Sequence, residues 1–577
     1  QYFYFPQSSI KDSSSLATAM PHLAEAVMKR YKFINGTDAY YNNLFRAQLI
    51  AGEYEKAIAS IEEYRKTDSR TNSLGPFAYL QYELFAKAAL KKPQPFEQTF
   101  RQDFLRCFRM MNNKTAFNVG NIFRADPAAV AARMQAALAA LPPGDSVSFK
   151  DALTLCRAYS ALITYKQILP VSLPMLKEQD DKRYEFQDSF YIPVRDGAKI
   201  FAYVVLPREV DRPQPAALLF TPYPVIGMKE AQDAASHGYA GVVAFTRGSR
   251  STNEVPVLFE KDADDTYDVI DWISKQSWSN GKVGMYGGSY SGFSQWAALK
   301  KIHPALKTVV PQASVVPGYD SPMENNVHSS VRSFERSYYV ANTTPLPRDF
   351  FDNWYKSGKS FRSLDTLAGQ PNPLFQRWLN HSDYDAYWRS LIPTNEEFAA
   401  INIPILTTTG YYDDDQTGAL FYFRKQYTNN HGAHHYLVIG PYDHYGSQLM
   451  SSPNLKGYDL DPVADLNMHD LAFDWMDFII KKKRAPALLL NGKIAYQPMG
   501  TNEWRNAPSL SKMSNDTLTF YLDKKANGKN YSLTSQKPAV QEIEQTVDFA
   551  DRTTQNNYYA SSFVSKELDA SNGLAFM

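Results

Sequence analysis

The amino-acid sequence predicts an α/β protein: a mostly parallel sheet covered on both faces by helices, with an all-helical region before it and an all-β region after it. Three observations carry this expectation. Residues 1 to about 182 place apolar side chains three and four apart; from 183 to 484 short continuous apolar runs alternate with helical patterns; and from 485 to 577 short strand-like runs are separated by Asn, Gly, Lys and Asp. At 577 residues the chain exceeds what one hydrophobic core supports, so two to four domains are expected.

The elements follow in chain order. From Tyr41 to Lys66 the apolar spacing is helical on both sides of Gly52, which reads as helix, tight turn, helix. This unit resembles a single tetratricopeptide-type repeat, without a second copy at a fixed period. Ala128 to Leu138 is helical by propensity. The helical region is read as structural or docking and is assigned no chemistry. Phe190 to Pro207 reads as two strands around an Asp196-Gly197 turn. Ala216–Phe220, Gly241–Phe245 and Lys282–Gly287 read as buried strands, with a helix over 263–275 before the last. Between about 318 and 395 the alternation lapses into a Trp-, Tyr-, Phe-, Asn- and Arg-rich stretch, expected to lie over the sheet as a cap. Strands resume at Ile403–Thr409 and His435–Gly440, and a helix over Leu466–Ile480 ends in a Lys/Arg run that suits the negative end of its macrodipole. The final stretch, Gly573 to Met577, reads as the middle of a strand.

Composition removes several function classes. Lys plus Arg number 61 against 60 Asp plus Glu, a formal net charge of +1 without the basic excess that general nucleic-acid binding needs. No apolar run reaches the length of a membrane span. Two cysteines, Cys107 and Cys156, are too few for a disulfide scaffold and lack metal-site spacing, so buried free thiols are expected, with one disulfide as the alternative. The first residue is Gln1, and the expectation drawn from it is a mature periplasmic or secreted chain whose signal peptide has been removed.

The chemistry-bearing signal is Gly287-Gly-Ser-Tyr-Ser-Gly, directly after the strand Val283–Tyr286 and directly before the helical run from Phe293. A strand turning sharply into a helix holds its serine in strained geometry, needs small neighbours, and aims helix N-terminal N–H groups at any negative charge that develops there. This is the nucleophile elbow of an α/β-hydrolase fold, with Ser289 as nucleophile. A serine hydroxyl needs a base to take its proton, and in this fold an acid and then a histidine follow in chain order, each just past a strand. Asp413, Asp414 and Asp415 follow the strand Ile403–Thr409, and His444 follows the strand His435–Gly440. Of ten histidines, His444 alone has that order and position. Among the three aspartates Asp413 is preferred, with its two neighbours expected to be solvated.

These residues, together with Val194-Arg-Asp-Gly, Thr221-Pro-Tyr, Asp385-Ala-Tyr-Trp, Gly410-Tyr-Tyr-Asp, Gly440-Pro-Tyr-Asp-His and Gly500-Thr-Asn-Glu-Trp-Arg, resemble a known group of hydrolases. The group comprises bacterial cocaine esterase, α-amino-acid ester hydrolases, glutaryl cephalosporin acylases and Xaa-Pro dipeptidyl-peptidases, and the likeness spans roughly 185 to 577. The resemblance implies a triad of Ser289, Asp413 and His444 and an oxyanion hole formed by the Tyr290 N–H and the Tyr223 phenol. It also implies a helical cap and a C-terminal β jelly roll over 485–577, unfinished at Met577. It implies acyl transfer from an ester or amide to water through an acyl-enzyme, with no metal and no cofactor. The substrate is then a small ester or amide or a short peptide, with a homo-oligomer left open. Where α-amino-acid ester hydrolases place an aspartate two residues after the oxyanion tyrosine, this chain has Val225; Glu324 in the cap is the candidate replacement for holding an ammonium group. An Xaa-Pro dipeptidyl-peptidase or an α-amino-acid ester hydrolase is the alternative within hydrolases. A binding or scaffold protein with a silent hydrolase core is the alternative of another class.

Overall fold

A computed structural model describes the chain except residues 1, 7–11, 33–38, 68–73, 92–93, 211–212, 251–255, 342–344, 456, 528–529, 545, 547–575 and 577. The strand expected over Gly573–Met577 lies, apart from Phe576, outside the described residues. The chain divides into two compact units, the first made mainly of Gln1–Phe186 and the second mainly of Gln187–Val205, Val210–Ala234 and Tyr239–Met577.

The first unit pairs a short strand β1 (Tyr2–Tyr4) with β2 (Ser146–Ser148) and is otherwise helical. Its helices are α1 (Ser13–Arg30), α2 (Ala39–Ile50), α3 (Tyr54–Thr67), α4 (Leu80–Leu90), α5 (Phe96–Arg109), α6 (Asn113–Ile122), α7 (Pro127–Ala139) and the long α8 (Phe149–Arg183). Local chemistry sets several starts: Asp12, Asn112, Asp126 and Ser148 each accept N–H groups of the following turn, which offsets donors a helix leaves unpaired. The α2–Gly52–α3 hairpin is the helix–turn–helix read from the sequence. Phe100, Phe104, Phe108 and Phe123 form the aromatic centre of one of its cores. Cys107 and Cys156 are both free thiols, and burial pushes the Cys156 thiol up to about 12, which makes it an inert packing group.

The second unit is built on a ten-stranded mixed sheet. Before its C-terminal region, two short hairpins among the described residues stand outside that sheet, β9 (Met323–Glu324) with β10 (Val327–His328) and β13 (Asn454–Leu455) with β14 (Tyr458–Asp459). The sheet's own strands are β3 (Tyr184–Pro193), β4 (Lys199–Pro207), β5 (Gln214–Thr221), β6 (Ala240–Phe245), β7 (Ser279–Ser289), β8 (Leu306–Ser314), β11 (Ile405–Tyr412), β12 (His435–Asp443), β15 (Ile494–Tyr496) and β16 (Arg505–Ala507). The spatial order is β16-β15-β12-β11-β8-β7-β5-β6-β4-β3. Strands β6, β5, β7, β8, β11, β12 and β15 run parallel, whereas β4 and β16 pair antiparallel to β6 and β15. The central strands are apolar without alternation because helices cover both faces; every residue of β6 is buried. Each Val or Leu so buried contributes about 1.5–3 kcal/mol, which pins strand register.

Helices α9 (Met228–Ser236), α10 (Asp262–Ser274) and α11 (Tyr290–Ala298) connect the first parallel strands, and α18 (Gln416–Asn429) and α19 (Met468–Ile480) the last. Between β8 and β11 lies the cap: the β9–β10 hairpin, a π-helical turn at Ser330–Glu335, and α12 (Arg336–Ala341), α13 (Phe350–Ser357), α14 (Leu364–Leu367), α15 (Pro373–Leu379), α16 (Ala386–Ser390) and α17 (Asn395–Ala400). It has its own apolar centre, with Phe334, Leu364 and Phe375 fully buried. Beyond α19, β15 and β16 join the central sheet, although the sequence pattern places both in a separate β region starting at 485. Three residues each, they are too short to declare a partner by pattern alone. The described remainder forms one hairpin, β17 (Tyr521–Asn527) with β18 (Asn530–Thr534).

Candidate active site

Ser289 ends β7 and precedes α11 with φ 61° and ψ −123°, a conformation that a serine adopts only when its surroundings enforce it. The enforcement is visible at the two glycines anticipated as small neighbours. A Cβ on Gly287, itself at φ +124°, would lie 2.5 Å from Leu219, and one on Gly292 would lie 2.8 Å from the Ser314 Cβ and 2.9 Å from the Gln312 carbonyl. The strand–turn–helix therefore closes only with glycine at both places, and Ser289 is left at the carboxyl end of the parallel strands.

Three groups gather there. The Tyr223 phenol, two residues past β5, donates to Ser289 Oγ at 3.2 Å, and the Tyr290 N–H donates to the same phenolic oxygen at 3.4 Å. The two groups expected to be oxyanion donors are thus neighbours of each other, with the phenol against Ser289 Oγ. His444 follows β12, and its Nδ1 lies 2.9 Å from Asp413 Oδ1. Asp413 follows β11 and is itself oriented: its Oδ2 accepts from the Thr409 hydroxyl at 2.8 Å and its Oδ1 from the Asp415 N–H at 3.0 Å. Ser289, Asp413 and His444 are all buried.

One expectation needs correction. Asp414 and Asp415 are not solvated bystanders: Asp414 Oδ1 lies 3.3 Å and Asp415 Oδ2 3.6 Å from the same His444 Nδ1. The turn from β11 into α18 curls back, with the Gln416 N–H donating to the Asp413 carbonyl, so consecutive side chains converge instead of alternating as on a strand. Asp415 is fully buried, and its Oδ2 lies 3.5 Å from Ser289 Oγ. Arg332, from the cap's π-helical turn, supplies the compensating charge: it pairs with Asp414, lies 3.1 Å from Asp415 Oδ1 and donates to the Asp320 carbonyl at 2.6 Å. The Asp triplet was visible in the sequence as a choice among three; Arg332, one arginine in an unpatterned cap, carried no signal.

Burial disfavours charge on His444, but the Asp413 hydrogen bond and the fields of Asp415, Asp413 and Asp414 outweigh it and raise the imidazole to about 9. Burial raises Asp415 above the usual carboxylate range against the pull of His444 and Arg332. Burial, reinforced by the charge of Asp415, holds Asp320 well above that range. Ligand-type atoms of Asp413, Asp414 and His444 also lie within 4.8 Å of one another, close enough for one cation to reach all three. Glu324 sits exposed on β9, whereas Ser289, Asp413 and His444 are buried. Val225 is 91% exposed.

Residues 196–446 match the X-Pro dipeptidyl-peptidase (S15) family. Over 380 residues the chain is 26% identical to the cocaine esterase of Rhodococcus sp. (strain MB1 Bresler), covering 59% of this chain and 63% of that protein. The chain therefore spans somewhat less than two thirds of that relative's length. Among solved structures, an α-amino-acid ester hydrolase superposes with a TM-score of 0.52 at 22% identity, over 64% of this chain and 68% of that one. An aminopeptidase from the marine sediment archaeon Thaumarchaeota archaeon gives a TM-score of 0.52 at 19% identity, over 63% of each chain. These two likenesses establish the fold. The chain has an α/β-hydrolase-like core and, over that core, is similar in sequence to cocaine esterase and to the S15 peptidase family.

Proposed function

We propose that the protein is a serine hydrolase that cleaves an ester or amide through an acyl-enzyme on Ser289. The observation that carries this reading is a strained elbow serine with the Tyr223 phenol against its Oγ, and Asp415 reaching both that Oγ and the Nδ1 of a histidine hydrogen-bonded to Asp413. Ser289 Oγ attacks the carbonyl carbon as His444 takes its proton, and the carbonyl oxygen becomes an oxyanion held by the Tyr223 hydroxyl and the Tyr290 N–H. Asp413 holds the imidazole in the tautomer that presents Nε2 and stabilises the imidazolium. His444 then protonates the leaving group, and a water activated by the same histidine releases the acid. Donors preset for a charge that appears only in the transition state act on turnover, not on substrate affinity.

The substrate reading is an uncharged acyl group of an esterase or acylase, since Val225 offers no charge for an ammonium. The S15 match favours a second reading, a dipeptidyl-peptidase or α-amino ester hydrolase, which needs an anchor for a free amine. Initial rates on phenylglycine methyl ester and on methyl phenylacetate, with Ser289→Ala as control, separate the two. Comparable rates, or faster cleavage of methyl phenylacetate, are expected. A tenfold or larger preference for the amine would transfer the assignment to the second reading. In the C-terminal region, the β17–β18 hairpin is consistent with an early strand pair of the jelly roll implied by the resemblance.

The pH dependence follows from the carboxylates around His444. The base must be neutral to accept a proton, so kcat/KM is expected to climb through neutrality with a midpoint near 9, against about 6.5 for an unperturbed histidine. Stability runs the other way. A folded-state pKa above the unfolded one means that the fold favours the protonated form. The stabilisation, on the order of 3 kcal/mol, is full below about pH 6.5 and is lost as pH rises through 9. A kcat/KM profile already flat at pH 7 would contradict the role given to the acid cluster.

A further inference from the structure

Several unusual features meet on the short segment Phe259–Asp262, which precedes and opens α10. Tyr290, the residue whose N–H faces the Tyr223 phenol, has its own phenol held from two sides. The Phe259 N–H donates to it at 2.6 Å, and it donates in turn to Asp262 Oδ2 at 2.9 Å. The Phe259 ring stacks on the Tyr290 ring at 4.7 Å. Phe259 sits at φ 71°, which a bulky residue keeps only where its surroundings over-determine it. Asp262 is buried, and that burial raises its carboxyl to about 8.

The same segment reaches the cap. Both Glu260 carboxylate oxygens accept from Arg377 of α15, at 2.6 and 2.5 Å, and the Tyr387 phenol of α16 donates to one of them at 2.8 Å. The Phe259 ring also faces Trp378 of α15 at 5.7 Å. Two adjacent residues therefore touch the cap on one side and the anchor of an oxyanion donor on the other.

Resting on the site reading above, we propose that Phe259–Asp262 is a strut through which the cap sets the position of the Tyr290 N–H. Glu260 is its positioning residue on the cap side and Asp262 on the core side. A hydrogen bond to an oxyanion needs its donor within a few tenths of an ångström of the right place, and a strained backbone between two anchors transmits a shift instead of absorbing it. Binding of the ground-state ester does not depend on that placement; stabilisation of the tetrahedral oxygen does.

The test compares the full-length wild type with Glu260→Ala, Glu260→Gln, Tyr387→Phe, Tyr290→Phe and the Tyr290→Phe/Glu260→Ala double variant. The readouts are kcat and KM on methyl phenylacetate and inhibition by phenylboronic acid, whose tetrahedral serine adduct places an oxygen on the oxyanion donors. Glu260→Ala is expected to lower kcat about tenfold with KM within twofold, and to weaken phenylboronate by a similar factor. Glu260→Gln, which keeps one acceptor oxygen for Tyr387 and Arg377, is expected to recover most of that loss. Tyr387→Phe, which removes one hydroxyl, should move the same way by a smaller factor and guards against a Glu260→Ala chain that fails to fold. The double variant should be no worse than Tyr290→Phe alone. Unchanged kcat in Glu260→Ala, a loss confined to KM, or losses that multiply in the double variant would each overturn the strut. Full activity in a parallel Ser289→Ala control would instead remove the site reading on which the strut rests.

Discussion

Ser289→Ala is expected to lower kcat by about five to six orders of magnitude while leaving the melting temperature close to that of the wild type. The kinetic loss is that large because nucleophile and base act as a unit. With Oγ gone, His444 has no hydroxyl to deprotonate, and no acyl-enzyme forms. What remains is the catalysis that oxyanion donors and substrate binding give an attacking water, on the order of 10³–10⁴ over the uncatalysed rate. Stability barely changes, since alanine at φ 61° carries the same backbone strain as serine there and the Gly287 and Gly292 contacts are untouched. Rates followed beside thermal melting check both halves. A variant retaining a tenth of wild-type turnover would mean that the chemistry runs elsewhere.

Asp413→Asn carries the second large effect, and its size is informative. In a triad with one acid, replacing that acid by its amide turns the histidine to the wrong tautomer and costs about 10⁴ in kcat. Here Asp414 and Asp415 lie 3.3 and 3.6 Å from the same Nδ1. Either can accept the Nδ1–H once the carboxylate of Asp413 is gone, so the single variant is expected to lose only about 10²–10³ in kcat. Asp413→Asn/Asp414→Asn/Asp415→Asn together should restore a loss near 10⁴. The midpoint of the kcat/KM profile should fall below 9 in the single variant, because one of the interactions raising His444 has been removed. A single variant already down by the full ~10⁴, with the triple variant no worse, would leave Asp413 as the one acid that matters and the neighbours as spectators.

Much of the hydrolase core was legible in the sequence because its elements are long, apolar and separated by punctuation. β5, β6, β7 and β12 each read as an unbroken apolar run, and Ser289 and His444 stand just past such runs. The acid was legible only to within three residues, since strand periodicity assigns alternating directions and says nothing once a chain leaves the strand. At Asp413 the chain turns at once, and the turn brings all three carboxylates to one imidazole. Arg332, Glu260 and Arg377 had no signal, as each acts through a partner 82 to 117 residues distant and sits in a cap or loop without period. The strain at Phe259 was equally invisible, because nothing in a phenylalanine announces a positive φ. β15 and β16 were misplaced for a plainer reason: a three-residue strand fits any sheet until the neighbouring edge is known.

The central claim, an acyl-enzyme on Ser289, is tested most directly by treating the full chain with a fluorophosphonate and locating the adduct by peptide mass spectrometry. Attack on phosphorus forms a tetrahedral serine ester that resembles the oxyanion intermediate and stays on the protein. One adduct per chain is expected, on the peptide carrying Ser289, with loss of esterase activity in step with labelling and no labelling of Ser289→Ala. Labelling of another residue with equal loss of activity, or full activity in a chain completely modified at Ser289, would contradict it.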